Sequence, residues 1–135
     1  MSDRLLADTL TVVHFAWILF MIYGFVLTLR GFRHPEFFDR WLFRSAHLAG
    51  ILFVASLELL GRYCPLTVWE NALRRRLDPT QDYPGSFIAG YIEKLIYYEI
   101  DLWIIAIPTV LVAGITLLIF VMRPPKRLRG WFAGS

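Results

Sequence analysis

From Leu102 to Met122 the chain carries no charged side chain. A helix needs about 20 mostly apolar residues to cross a bilayer, and this run meets that length. Two further runs do so as well: Leu5–Leu29, and a stretch from about Trp41–Arg44 to Gly61. Composition agrees. The 135 residues leave room for one domain, yet 57% are hydrophobic and 16% aromatic, with a mean hydropathy of +0.53. Average usage is roughly 45–50% apolar, so the surplus here must face something other than water, and lipid is the natural candidate.

The same features set aside several other classes. Net charge is only +3, and the basic residues fall between the apolar runs. That pattern suits anionic lipid headgroups and gives no sign of a nucleic-acid partner. One cysteine excludes an internal disulfide and any multi-cysteine zinc site, and no metal site is expected. The first apolar run is far longer than a signal-peptide core of about 7–15 residues, and no small-x-small cleavage site follows it. It is expected to stay as a membrane span.

These observations predict an all-α membrane protein forming a single helical membrane domain over residues 1–135. The predicted spans are about 5–29, 42–61 and 100–122, with extramembrane or interfacial helices at about 68–77 and 86–99 between spans two and three. The stretch Gly85–Asp101 is the difficult one. Its apolar part is short, Glu93 and Lys94 interrupt it, and Tyr97 to Trp103 holds no Gly, Pro, Asn or Ser to make a turn. A continuous or gently bent helix from about Ser86 to Met122 is therefore expected, with four transmembrane helices as the alternative. With three spans, the loop Arg30–Arg44 and the C-terminal tail share one side and carry more Lys and Arg than the other. This leans toward a cytoplasmic C-terminus.

Ionisable residues inside a span cost about 2.5–3.5 kcal/mol each on insertion scales and are functional candidates. Three stand out: His14, His47 and Glu58. If spans one and two form an antiparallel hairpin, the helix rises about 22 Å from Leu29 back to His14, and about 21 Å from Arg44 forward to Glu58. His14 and Glu58 should then lie at one level and can form a buried polar pair. His47 should sit near the loop, more than about 15 Å from His14 in depth. That disfavours a bis-histidine haem. His47 and Glu58, about three helical turns apart, share one face.

Beyond the second span lies a candidate rim motif, Cys64, Thr67, Glu70, Asn71 and Arg74. Thr67-Val68-Trp69-Glu70 matches a capping box, which would use Thr67 and Glu70 to start a helix at the membrane surface. Trp69 and Arg74–Arg76 would then face headgroups. Cys64 has no adjacent metal ligand.

The early His14, the His47…Glu58 spacing, Cys-Pro-Leu-Thr-x-x-Glu-Asn-x-Leu-Arg at Cys64–Arg74 and Tyr-x-Gly-x-Phe-Ile at Tyr83–Ile88 together carry a likeness. Over nearly the whole chain the sequence resembles a family of small, uncharacterised bacterial integral membrane proteins, a domain of unknown function. The resemblance implies a helical fold in a bacterial inner (plasma) membrane and supplies no activity. The leading expectation is a non-enzymatic accessory or scaffold subunit. It would use the face around His14, His47 and Glu58 to bind another membrane protein or a second copy as a homo-oligomer. No cofactor is expected. The competing readings are a haem- or quinone-binding redox module using His14, His47, Glu58 and Tyr63, and a lipid-headgroup enzyme using Cys64, Glu70 and Asn71.

Overall fold

The computed structural model of the chain describes residues 2–80 and 101–134. Five α-helices and no strand occur among them: α1 Ser2–Arg30, α2 Trp41–Leu59, α3 Pro65–Leu77, α4 Leu102–Met122 and α5 Lys126–Ala133. A 3-10 turn, Pro35–Asp39, joins α1 to α2. Helices α1, α2 and α4 are long and apolar enough to span a membrane. At 1.5 Å per residue α1 reaches about 43 Å, longer than the hydrocarbon core, whereas α3 reaches about 20 Å and is too short to cross.

Two short-range contacts lock α1 to α2 at their loop-proximal halves. The Nε2 of His47 donates to the Met21 carbonyl at 2.9 Å, which fixes the tautomer because a carbonyl can only accept. Gly24 makes this possible. A Cβ there would lie 2.6 Å from the same nitrogen, so only glycine admits the ring at this crossing. Phe20 and Phe43 flank the imidazole, with ring centroids at 5.8 and 6.3 Å. Below this crossing Met21, Ile51, Ala55 and Ala113 form a small apolar core joining α1, α2 and α4.

Helix α2 then leaves α1. It packs along α4, while α3 takes over as the main neighbour of α1. The exit is a Schellman turn: Gly61 adopts φ 66°, Gly61 N–H donates to Glu58 O and Arg62 N–H to Leu57 O. At the loop end, Arg44 ties three segments together. It is 3% exposed, its Nη1 donates to the carbonyls of Phe38 (2.9 Å) and Arg123 (2.7 Å), and its guanidinium lies between the rings of Phe38 and Phe120. The Arg123 carbonyl is at the C-cap of α4, so a cation placed there also meets the negative end of that helix. Lys126 pairs with Asp39, and Arg127 covers Trp41, which brings α5 to the same end.

Two expectations about the elements are corrected. No helix runs unbroken from Ser86 to Met122, because Asp101 is extended (φ −69°, ψ 146°) and α4 starts afresh at Leu102. The Thr67–Glu70 capping box does not form either. Helix α3 starts at Pro65, ahead of Thr67, with Cys64 in the N-cap position and no side-chain cap. Proline at the first helical position supplies the start, since its missing N–H has no partner to lose there. The expected interfacial helix at about 86–99 and the Tyr83–Ile88 motif lie outside the described residues.

Candidate functional site

Helix α1 carries Asp8, Thr11 and His14 at three-residue spacing, and α3 with its N-cap carries Cys64, Thr67, Glu70 and Arg74 at spacings of three or four. Each set lies on one helical face. The helices run antiparallel, since Glu70 meets Thr11 whereas Arg74, one turn on, reaches back to Asp8. The result is a polar seam between the first span and the short helix.

Glu70 sits at its centre and is 0% exposed. Its Oε1 accepts from the Thr11 hydroxyl at 2.6 Å and from Arg74 Nε at 3.1 Å. One Nη of Arg74 also donates to Thr11 Oγ1 (2.9 Å) and to Asp8 Oδ1 (3.3 Å), and Asp8 is largely exposed. The seam therefore grades from a solvent-facing ion pair at Asp8 to a buried one at Glu70. A buried carboxylate persists only if paired and hydrogen-bonded, and Arg74 with Thr11 provides both.

His14 lies one turn deeper along α1 and is 8% exposed. Two atoms in this part of the seam are buried without a hydrogen-bond partner: Nδ1 of His14 and Oε2 of Glu70. Cys64, a free thiol, is half-buried. Thr67 is buried, and Asn71 is half-buried and engaged in a contact of its own.

The structure thus regroups the predicted candidates. His14 follows Thr11, the partner of Glu70 of the rim motif, by one turn of α1, and Glu58 lies beside Thr109 of α4. Nδ1 of His14 and Oε2 of Glu58 are each buried without a hydrogen-bond partner, so no hydrogen bond joins the two residues through these atoms. On α2, His47 meets α1 at the Met21 carbonyl, whereas Glu58 meets Thr109 of α4. His47 is closed in by Met21, Phe20 and Phe43, and its Nε2 is already used. Among the described residues no group of three or more His, Cys, Asp or Glu could hold a metal ion. Sequence reasoning missed Thr11 and Asp8. Their spacing from His14 was the available signal, a polar stripe on an otherwise apolar helix.

Three apolar helices with a buried ionic seam define a multi-pass helical membrane protein. The chain belongs to the family described as protein of unknown function (DUF2784), which covers residues 4–125. No curated protein and no solved structure shows a significant match to it.

Proposed function

We propose that this protein resides in a bacterial inner membrane with its C-terminus in the cytoplasm. There it works as a non-enzymatic accessory or scaffold subunit for another membrane protein or a second copy of itself. One observation carries this reading: the buried polar groups serve as joints between helices. Arg74 and Thr11 hold Glu70, His47 holds the Met21 carbonyl, and Arg44 holds the end of α4. Such interhelical contacts build a rigid frame, and the outward faces of the spans stay apolar, as at Val12, Phe15, Ile22, Leu111 and Leu118. The orientation is supported by eight Lys and Arg gathered at the loop end, Arg30, Arg33, Arg40, Arg44, Arg123, Lys126, Arg127 and Arg129.

Native mass spectrometry of the protein released directly from its membrane tests the role. The accessory reading expects a defined complex, homomeric or heteromeric, as the main species. A bare single chain under these conditions contradicts it. A C-terminal alkaline phosphatase fusion that is inactive supports the orientation, and an active one reverses it.

The lipid-headgroup reading fares less well, since Glu70 is enclosed and faces α1. A haem bound by His14 and His47 is likewise opposed by the engaged Nε2 of His47.

A further inference from the structure

We infer that the loop end of the bundle, from Arg30 to Trp41 together with α5, is a binding surface for anionic phospholipid headgroups. Eight Lys and Arg gather there, within Arg30–Arg44 and Arg123–Arg129, against two acidic residues, Glu36 and Asp39. That excess is larger than the net charge of +3 carried by the whole chain, so the rest of the molecule is net acidic. Arg44 is buried and bound to two carbonyls, and Lys126 is paired with Asp39. The remaining six, Arg30, Arg33, Arg40, Arg123, Arg127 and Arg129, are exposed, and none of them forms an ion pair among the described residues.

Height and neighbours identify the polyanion as the bilayer itself. Arg30 ends α1, Arg40 precedes α2 and Arg123 follows α4, so the cations gather at one end of three spans, the level at which phosphates lie. Exposed apolar side chains are interleaved with them: Phe32, Leu42 and Trp131 are 56%, 67% and 74% exposed. A soluble polyanion gives such side chains no apolar surroundings, whereas headgroups and the upper acyl chains accept both kinds. Helix α5 is held at this level, since Lys126 ties it to Asp39 at 2.7 Å and the Arg127 guanidinium lies 5.1 Å from the centre of the Trp41 ring. Its cations are therefore fixed beside those of the turn. Guanidinium groups bind phosphate oxygens through paired N–H donors. A zwitterionic headgroup brings its own ammonium into the same positive field and gains less than an anionic one. This inference holds for either orientation of the chain, and with or without a partner subunit.

The test is a lipid titration of the full chain in a neutral detergent, read by native mass spectrometry, with dioleoylphosphatidylglycerol and dioleoylphosphatidylcholine. The two lipids share their acyl chains and differ in headgroup charge. The inference expects phosphatidylglycerol to bind more tightly by about fivefold or more, the factor that one cation near an anionic surface contributes. Arg33→Gln with Arg129→Gln removes two exposed side chains that form no ion pair among the described residues. That variant should lose about fivefold or more of the preference. Arg62→Gln with Arg76→Gln, two exposed arginines from the other end, should leave it unchanged. If the Arg33/Arg129 variant fails to fold, the wild-type preference and the other-end variant still decide. Three results overturn the inference: equal binding of the two lipids, a preference lost equally in both variants, or no loss in folded Arg33→Gln/Arg129→Gln. A wild type that shows no lipid preference and binds heparin instead gives the first result and assigns the cations to a soluble polyanion.

Discussion

Glu70 accepts a hydrogen bond of 2.6 Å from Thr11, a residue 59 positions earlier in the chain. That bond fastens a helix too short to cross the membrane onto the first span. It also turns a residue that reads as a helix cap into the centre of a buried ionic seam. The consequences can be measured.

Removing one partner of a buried ion pair leaves the other uncompensated. Glu70→Ala and Arg74→Ala are each expected to lose about 3 kcal/mol of stability, measured by steric trapping in bicelles. The paired replacement Glu70→Leu with Arg74→Met should recover much of that loss. A Glu70→Ala protein as stable as wild type would mean the carboxylate is not buried as described.

Thr67 distinguishes the seam from the capping box. Losing a working cap costs about 1 kcal/mol. Because the helix starts at Pro65 without a side-chain cap, Thr67→Val should leave the first turn as well protected in amide exchange as in wild type. A loss of that size, with fraying of the first turn in amide exchange, would restore the capping role.

The crossing at Gly24 allows a comparison of two glycine substitutions. Gly24→Ala drives a methyl group into the His47 ring, with an expected loss of about 1–3 kcal/mol. Gly114→Ala meets nothing within 4 Å and should be neutral or gain up to about 1 kcal/mol through helix propensity. Equal effects at the two positions would place the α1–α2 contact elsewhere.

Outside the membrane, Asp78 gives a pH signature. The Thr80 hydroxyl, and then its backbone N–H, hydrogen-bond the Asp78 carboxylate and hold its pKa below the ordinary aspartate value. A depressed carboxylate pKa stabilises the folded turn above the unfolded value, and that contribution is lost as pH falls through the folded one. Thr80→Val should raise the Asp78 pKa toward its ordinary value in a carboxyl carbon NMR titration. No change would mean the hydroxyl is not the partner.

Much of the frame is legible in the sequence, because lipid imposes length and apolarity together. Leu5–Leu29, the run ending near Gly61 and Leu102–Met122 all correspond to helices. Counting residues gives height along the membrane normal but no lateral position, so His14 and Glu58 can be placed at one level without being brought together. The close crossing of α1 and α2 rests on contacts of Gly24 with His47 and of Gly50 with Met21, between segments distant in sequence, and no local pattern encodes it. The Thr-x-x-Glu spacing is ambiguous in a similar way. The same i, i+3 relation that builds a capping box also puts Thr67 and Glu70 on one face, and packing against α1 decides between these uses. Arg44 reads as the edge of a span, while its role as a clamp on the Phe38 and Arg123 carbonyls depends on chain distant in sequence.

Double-mutant cycles in one membrane mimetic test the central claim most directly, using His14→Phe with Glu70→Gln and His14→Phe with Glu58→Gln. The geometry predicts a coupling of about 1 kcal/mol between His14 and Glu70, and additivity within about 0.3–0.5 kcal/mol between His14 and Glu58. Coupling of His14 to Glu58, with none to Glu70, would contradict the seam between α1 and α3.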